Sequence, residues 1–461
     1  MSVSDKCPVV VISGTNSGVG KTSVTIALLR ALRQRGLKVQ PFKAGPDFLD
    51  PTLLTAAAGR DCHNLDTWMM GKEYLLGLFE RAASDADVAV VEGVMGLYDG
   101  MGGAPTAAGS TAELAKLLSA KVLLVLDAGG MAQSVAAVVK GFCELDSEIQ
   151  IAGVIANRVG SEKHAKIVSA ALEAHNLPPL LGAIPKGAFP ELPRRHLGLV
   201  KAGSENLSDE ILGRFAEAME KNSSVDSIIK LSRLSPNDRV KPVLPIRKGG
   251  APRIGLALDD AFSFYYKDTL ELLEEGGCEL VKFSPMNDQR LPSNIDALYF
   301  GGGYPEEFCE KLAGNATMLE DVRRFAENGG KIYAECGGLV YLSKGIELTD
   351  GSRHPFAGII PSWTKMNRRF KSLGYTEVLL REDSVVGPAG ARIRGHRFHY
   401  SELVQPPSES DGWGRAYELT NGKSGDVTLE GYKKNNVLAS YVHLHMAQTI
   451  NHFIRSCAGE L

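Results

Sequence analysis

The sequence of 461 residues predicts two α/β domains, each built on a parallel sheet. In both halves, short apolar runs alternate with helical patterns, which is typical of parallel strands joined by crossover helices. Between the halves, residues 236–252 contain four prolines, paired glycines and several charges. This composition is typical of a linker. We therefore expect domains over residues 1–235 and 253–461.

The apolar runs give the expected order of strands and helices. In the first half, the strands are predicted at 9–13, 38–42, 88–91, 122–126 and 151–156. A helix is expected over 21–35, because apolar residues recur along one helical face. In the second half, strands are predicted at 253–258, 279–283, 297–300 and 331–334, with helices at 269–275 and 318–328.

Composition narrows the class of protein. Lys and Arg total 51 and Asp and Glu total 54, which gives a net charge of −3, and 44% of residues are hydrophobic. These values exclude disorder and give no reason to expect nucleic acid or a membrane as partner. The seven cysteines form no CxxC pair, and no apolar stretch reaches 18 residues. We expect a cytoplasmic protein and leave a homodimer open.

A glycine-rich loop follows the first predicted strand and precedes the first helix. Such a loop binds phosphates through backbone N–H groups and a helix N-terminus. Lys21 is expected to reach the β- and γ-phosphates of ATP, and the Thr22 hydroxyl to bind Mg²⁺. The spacing is unusual, because five residues rather than four separate Gly14 from Gly20. The predicted nucleotide-binding residues are Gly14, Thr15, Gly18, Val19, Gly20, Lys21 and Thr22.

Acidic residues follow the next predicted strands, at the sheet edge where ligands bind in open α/β folds. Glu92 is the leading candidate for a magnesium ligand and Asp47 the next. Asp47 and Asp99, together with Tyr98, are also candidates for binding or activating a substrate. The alternative for each carboxylate is that it caps a turn.

A second chemical pattern surrounds Cys336, which ends a predicted strand and precedes two glycines. A sharp strand-to-helix turn of this kind exposes a nucleophile and points the following N–H groups at an oxyanion. The expected oxyanion donors are Gly337 and the loop containing Gly302 and Gly303. The alternative is that Cys336 is a small buried apolar residue.

Several histidines are candidates for the remaining roles. His443 and its neighbour His445 lie on the same face of an extended segment, and one of them is expected to be the general base for Cys336. His396 and His399 are either structural or substrate-binding, and a zinc site formed by the four histidines is a weaker alternative. Residues 187–195, with His196 and Leu197, form either part of an acceptor site or a solvated loop.

These motifs resemble the cobyrinate a,c-diamide synthase family over nearly the full length of the chain. The matching segments are GTNSGVGKT, FKAGPDFLDP, VEGVMGLYDG, YFGGGYPE, YAECGGL and SYVHLH. The first domain resembles a P-loop NTPase of the dethiobiotin synthetase type, with a parallel sheet. The second resembles a triad-type class I glutamine amidotransferase, with a flavodoxin-like α/β fold. The family commonly has Glu at the position of Arg397 and Ser-Arg at 62–63.

The resemblance implies a ligase that uses MgATP and glutamine. Cys336, assisted by His443, would release ammonia from glutamine, and the first domain would phosphorylate a carboxylate that ammonia then converts to an amide. The implied substrate is cobyrinate, amidated at its a and c side chains in cobalamin biosynthesis. An alternative is the same chemistry on Ni-sirohydrochlorin in coenzyme F430 biosynthesis. A non-enzymatic P-loop ATPase switch is a third hypothesis, but it leaves Cys336 unexplained.

Overall fold

The computed structural model describes residues 7–101, 108–192, 207–232 and 251–461, together with the backbone of 194–195 and 198–199. The chain divides into two compact units, Met1–Leu244 and Pro245–Leu461. Most of the expected linker, residues 236–250, lies outside the described residues. The domain boundaries at 235 and 253 therefore remain a prediction.

In the first unit, strands and helices alternate along the chain as expected. In chain order they are β1 Val9–Gly14, α1 Lys21–Gln34, β2 Val39–Ala44, α2 Asp50–Ala58, β3 His63–Leu65, α3 Lys72–Ala82, β4 Val88–Glu92, α4 Thr111–Leu117, β5 Lys121–Asp127, α5 Ser134–Leu145, β6 Ile151–Val159, α6 Glu162–Ala174, β7 Leu180–Pro185, β8 Arg194–Arg195, β9 Gly198–Leu199, α7 Asp209–Asn222 and α8 Val225–Ser232.

The main sheet of this unit is parallel and has the strand order β3-β2-β4-β1-β5-β6-β7. Its strands are apolar over most of their length because helices cover both faces, and two buried clusters line those faces. From β1 the chain passes outward to β2 on one side and returns later to β5 on the other. The central β1 therefore lies at a topological switch point, where a crevice opens at the carboxyl ends of the strands.

The second unit begins with the same alternation and then becomes mostly β. In chain order its elements are β10 Arg253–Ala257, α9 Lys267–Glu275, β11 Glu279–Phe283, β12 Ala297–Phe300, α10 Cys309–Gly314, α11 Ala316–Glu327, β13 Lys331–Glu335, α12 Gly337–Leu342, β14 Ser343–Glu347, β15 Arg353–Pro355, β16 Ile360–Met366, β17 Ser372–Leu380, β18 Arg392–His399, β19 Ser401–Leu403, β20 Gly414–Asn421, β21 Val427–Lys434, β22 Val437–Ser440, β23 Val442–Leu444 and α13 Ile450–Cys457.

Ten strands of this unit form one mixed sheet, in the order β11-β10-β12-β13-β22-β21-β20-β17-β18-β23. The first five are parallel, as the flavodoxin-like prediction requires. The other five pair antiparallel and were not predicted individually. β22 pairs with β13, and the chain continues one residue later into β23, which pairs with β18. Among the described residues, no helix is long and apolar enough to cross a membrane.

Candidate active site

The glycine-rich loop lies between β1 and α1, as predicted. Gly18 and Gly20 have φ values of +83° and +101°, a region that side chains with a Cβ avoid. A Cβ on Gly20 would also lie 2.3 Å from Nδ2 of Asn157. That amide donates a 2.8 Å hydrogen bond to the Val19 carbonyl oxygen. Asn157 lies on β6 and belongs to none of the predicted motifs, yet its side chain fixes the position of the glycine-rich loop.

Lys21 and Thr22 begin α1 and lie beside a buried acidic group. Lys21 is 8% exposed, and its ammonium donates to the Asn16 carbonyl oxygen at 3.2 Å. Burial, with the nearby Lys43 cation, lowers the pKa of Lys21 to about 8. The Thr22 hydroxyl donates to Oε1 of Glu92 at 2.7 Å. The chain thus brings two of the predicted phosphate- and metal-binding groups to the end of β4.

Glu92 is fully buried, and its Oε1 also lies 3.0 Å from the ammonium of Lys43. Lys43 also forms a 2.6 Å ion pair with Asp50. Burial raises the pKa of Glu92 to about 7, although Lys43 opposes the shift. Burial alone would lower the pKa of Lys43, but the Asp50 and Glu92 carboxylates outweigh it and raise this pKa above its ordinary value. Sequence reasoning missed Lys43 and Asp50 as members of the site, although both stand in FKAGPDFLDP.

The structure assigns local contacts to the other predicted acidic residues. Oδ1 of Asp47 accepts hydrogen bonds from the N–H groups of Leu49 and Asp50, so this carboxylate oxygen caps the turn. Asp99 accepts from the Gly96 N–H group and lies close enough to Lys21 to influence its pKa. For both residues, a turn-capping contact is present at the same edge of the sheet as the glycine-rich loop.

Tyr98 differs from the expectation of a substrate-binding side chain. Its hydroxyl donates to the Phe142 carbonyl oxygen at 2.5 Å, and its ring packs against the Phe142 ring with centroids 5.6 Å apart. The side chain is half-buried against α5. An aromatic ring with a polar hydroxyl satisfies both packing and hydrogen bonding in such a place. The sequence motif alone did not reveal this contact with Phe142.

An open cleft of about 1090 Å³ extends from the glycine-rich loop along the ends of β6 and β7. Its lining residues are Gly18, Gly20, Lys21, Thr22, Ser23, Asn157, Arg158, Pro185, Lys186, Gly187, Phe189, Pro190, Glu191 and Leu192. Arg158 has a left-handed backbone, with φ of +58°, and its guanidinium contacts Asp127 and donates to the Gly18 carbonyl oxygen. Residues 187 and 189–192 thus line the nucleotide-loop cleft. Residues 193, 196 and 197 and the side chains of 194–195 lie outside the described part of the chain.

The second site is built around Cys336, between β13 and α12. Its φ of +47° and ψ of −99° match the sharp turn that the sequence predicts. The Cys336 side chain is nevertheless buried, at 8% exposure, rather than exposed as expected. The N–H group of Cys336 donates to the Ser440 carbonyl oxygen on β22, and that of Gly338 to the Gly301 carbonyl oxygen. The turn is therefore tied to both neighbouring strands, and the sulfur lies 3.8 Å from the Phe398 carbonyl oxygen.

His443 is the histidine that meets this thiol. It lies on β23, is 1% exposed, and has Cys336 as a side-chain hydrogen-bond partner. A Cβ on Gly302 would stand 2.3 Å from Cε1 of His443, and a Cβ on Gly337 would stand 3.0 Å from the backbone nitrogen of Gly303. The predicted oxyanion loop and the predicted base therefore converge on the elbow, and glycine is required there because the backbones approach so closely.

The other histidines have different partners. His445, expected to share a face with His443, is instead fully buried with Nε2 2.8 Å from Oδ2 of Asp268. His399 stacks on Tyr441 with ring centroids 4.1 Å apart. Within the described residues no group of three or more His, Cys, Asp or Glu side chains is arranged to hold a metal. The zinc alternative is therefore wrong for that part of the chain.

His396 lies opposite His443 in the pairing of β18 with β23. Burial, together with the His443 and Arg397 charges, lowers the pKa of His396 to about 3, so its imidazole is neutral at pH 7. Burial also lowers the pKa of Arg397, although Glu430 opposes the shift. The cross-strand pairing could not be derived from sequence, because β18 belongs to the unpredicted antiparallel extension.

A phosphate-binding loop in one unit and a thiol–imidazole pair in the other define a class: glutamine amidotransferases that also bind a nucleotide. Comparisons with known proteins agree. Residues 10–200 match the CobQ/CobB/MinD/ParA nucleotide binding domain, and residues 253–450 match the CobB/CobQ-like glutamine amidotransferase domain. A solved glutamine amidotransferase covers 45% of this chain and 98% of its own, with 17% identity and a TM-score of 0.33, too low to support an argument.

Curated relatives identify the family. Cobyrinate a,c-diamide synthase of Syntrophotalea carbinolica is 50% identical over 458 residues, covering 98% of this chain and 99% of the relative. The enzyme of that name from Leptospira interrogans serovar copenhageni is 44% identical, with coverage of 98% and 99%. The one from Salmonella typhimurium is 40% identical, covering 95% of both chains. The chain belongs to the cobyrinate a,c-diamide synthase family.

Proposed function

We propose that this protein is an ATP- and glutamine-dependent ligase that converts the a and c carboxylates of cobyrinate to amides. The observation that supports the proposal best is the presence in one chain of two complete sites: a phosphate-binding loop beside Glu92, and a Cys336–His443 pair beside a glycine loop. Glutamine hydrolysis at the second site supplies ammonia, and ATP used at the first site activates a carboxylate that is otherwise a poor electrophile.

At the thiol site, Cys336 attacks the side-chain carbonyl carbon of glutamine while His443 takes the thiol proton. The N–H groups of Gly337 and of the Gly302–Gly303 loop stabilise the oxyanion that forms. His443 returns the proton to the departing nitrogen, so ammonia leaves and a thioester remains. Water then hydrolyses the thioester to release glutamate. Burial makes the charge interactions at this site strong.

At the nucleotide site, the loop from Gly14 to Thr22 binds the phosphates of ATP, with Lys21 placed to approach the β- and γ-phosphates. The cleft next to it is lined by Asn157, Arg158 and residues 185–187 and 189–192, and it has room for the nucleoside. A carboxylate of the acceptor attacks the γ-phosphorus, and ADP leaves. Ammonia then adds to the acyl phosphate, and phosphate leaves to give the amide.

Magnesium fits this site. Oε2 of Glu92 is buried without a hydrogen-bond partner among the described residues, which is costly for a carboxylate oxygen. Mg²⁺ takes oxygen ligands, commonly one or two from the protein with the rest from phosphates and water. Thr22 and Glu92 would hold the ion, which would neutralise phosphate charge. Asp47 and Asp99 remain further candidates for metal or acceptor binding, at the same sheet edge.

The relatives favour cobyrinate as the acceptor, because each of those compared above carries that substrate in its name. The Ni-sirohydrochlorin alternative is not favoured. A non-enzymatic ATPase switch is also disfavoured, since it gives no role to the Cys336–His443 pair. We further propose the domain boundaries at 235 and 253, a cytoplasmic location, and action without nucleic acid or membrane.

The deciding experiment replaces the nucleophile and compares two nitrogen donors. In Cys336→Ala we expect glutamine-driven amidation of cobyrinate to fall by at least about 10³-fold, because the covalent route is removed. Ammonium-driven amidation should stay within about twofold of wild type, since the nucleotide site is untouched. Cobyrinate and Ni-sirohydrochlorin are offered together with either glutamine or ammonium. Mass spectrometry of the products then shows which nitrogen donor is used and which tetrapyrrole is amidated. Persistence of glutamine-driven amidation would refute the proposal.

A further inference from the structure

Glu335, the residue before the nucleophile, is a buried carboxylate directed at His443. Its Oε1 accepts a 2.6 Å hydrogen bond from the Tyr333 hydroxyl and a 3.1 Å bond from the Leu444 N–H group. Its Oε2 lies 3.5 Å from the Tyr299 hydroxyl and 3.7 Å from Nδ1 of His443. The side chain is only 3% exposed. Donors on β12, β13 and β23 thus hold the carboxylate in one orientation.

The distance of 3.7 Å to His443 exceeds hydrogen-bond length but gives a strong electrostatic interaction in a buried site. Such contacts are often long in the absence of substrate and tighten during the reaction. Two other buried carboxylates lie near this segment: Asp268 pairs with His445 at 2.8 Å, and Glu430 accepts hydrogen bonds from the Ser440 hydroxyl and the Tyr441 N–H group. The two histidines of the VHLH segment therefore lie beside different carboxylates, and Glu335 is the one next to the histidine that meets Cys336.

The charge around His443 is consistent with this pairing. Burial alone would lower the pKa of His443, but the Cys336 and Glu335 charges outweigh burial and raise it to about 9. On β18, His396 faces His443, and Arg397 follows it. His396 has a pKa near 3 and does not titrate in the same range. Burial lowers the pKa of His399, which is close enough to feel the His443 charge, to about 4. Phe264 and Gly302, which also pack against the ring, are not titratable.

We propose that Glu335 is the positioning residue that fixes the ring of His443 with Nδ1–H toward the carboxylate and stabilises the imidazolium formed when Cys336 gives up its proton. The other ring nitrogen, Nε2, is then the atom that accepts the thiol proton and returns it to the departing ammonia. Glu335 does not touch glutamine and acts through His443. This inference rests on the proposed glutamine hydrolysis and assigns the third member of its catalytic group.

Glu335→Gln tests the charge while keeping the shape, because an amide oxygen still accepts from Tyr333 and Leu444. We expect kcat for glutamine hydrolysis to fall about 10²-fold or more, by analogy with removing the charge from a triad carboxylate. KM for glutamine should change less than threefold. The alkaline limb of the kcat/KM profile, which reports loss of the His443 proton, should move to lower pH. Ammonium-driven amidation should be unchanged.

Glu335→Asp and Asp268→Asn complete the comparison. Glu335→Asp keeps the charge, so its alkaline limb should stay nearer to wild type than that of Glu335→Gln, with a higher kcat. Asp268→Asn removes the buried carboxylate that pairs with His445 and should lower thermal stability without moving the limb. Equal kcat and equal limbs in the two Glu335 variants would overturn the proposal, as would loss of ammonium-driven amidation in both. Parallel Cys336→Ala separates this failure from failure of the proposed function, which alone predicts that glutamine hydrolysis vanishes there.

Discussion

Lys21 and Lys43 are both buried cations in the nucleotide site, yet their surroundings act on them in opposite directions. Lys43 is held by Asp50 and Glu92, and the pKa of its ammonium is raised by them. Lys21 contacts a carbonyl oxygen instead, and burial lowers its pKa to about 8. A cation that is incompletely neutralised in a phosphate-binding loop is suited to accept phosphate charge. In the protein without nucleotide, the charge of buried Lys21 therefore lowers the stability of the fold.

Replacing Lys21 should reveal this cost. The native pKa of about 8 lies below the ordinary value of 10.5, so charged Lys21 destabilises the fold at pH 7 and this effect disappears as pH rises from 8 through 10.5. Without nucleotide, Lys21→Met should therefore be more stable than wild type at pH 7, with a smaller difference at pH 10, while ATP-dependent amidation falls at least about 10²-fold. Urea unfolding at both pH values measures this.

Lys140 supplies the control, because it lies exposed on α5 in a pair with Glu144. Lys140→Met should change the free energy of unfolding by less than about 0.5 kcal/mol at either pH. A Lys21→Met variant that is less stable than wild type at pH 7 would contradict the pKa argument.

The geometry of the site around Cys336 depends on how closely loops approach neighbouring strands. The loop after β12 passes so near β23 that Gly302 packs against the ring of His443. The elbow after β13 is tied to β22 by the Cys336 N–H group. Helix ends follow simpler local rules: Ser161 caps α6 and Ser208 caps α7 by accepting backbone N–H groups. Local capping is readable from sequence, whereas the approach of β12 to β23 is not.

Gly302→Ala should displace the base. Its Cβ would stand 2.3 Å from Cε1 of His443, so the ring must move. A shift of about 1 Å in a catalytic group costs roughly 10²-fold in rate, and we expect that loss in glutamine hydrolysis with ammonium-driven amidation retained. Gly213, on α7 in open space, is the matched control: Gly213→Ala should stabilise the fold by about 0.5–1 kcal/mol. Unchanged hydrolysis in Gly302→Ala would show that the ring position is wrong.

At the scale of the whole chain, the two units have separate hydrophobic cores that are built differently. The first unit buries its sheet between two apolar clusters, and the second has its own cluster behind β12 and β13. We propose that each unit carries the residues for one partial reaction. Relatives such as the Syntrophotalea carbinolica enzyme match over 98% of this chain, so the pairing of the two units holds across them.

Limited digestion with trypsin tests the proposed linker at 236–252. Arg239, Arg247 and Lys248 are cleavable there, whereas Lys241 precedes a proline and should resist. We expect the first cut within this segment, because residues in a linker carry few contacts. A single cut should give fragments of 239 and 222 residues after Arg239, of 247 and 214 after Arg247, or of 248 and 213 after Lys248, identified by mass spectrometry. First cleavage inside 7–192 or 253–461 would place the boundary elsewhere.

The sequence by itself determined the parallel cores, the glycine-rich loop and the Cys336 elbow. In these places a local pattern and its chemistry coincide: strand, tight turn, helix. It also determined the family, because six separated motifs agree in order. Sequence reasoning proposed Glu92 as a magnesium ligand, and the structure places it beside Thr22. It gave no role to Lys43, Asn157 or Glu335, which become part of a site only through contacts with distant strands.

Only the tertiary structure decided which histidine meets Cys336 and which meets Asp268. His443 and His445 are two residues apart, so spacing in the sequence does not distinguish them. They differ because β23, which contains His443, pairs with β18, while the segment after β23 turns toward Asp268 on α9. It also decided that Tyr98 is packed against Phe142. The physical reason is that charge interactions and burial depend on what lies within a few ångströms, and chain folding, not sequence distance, sets those neighbours.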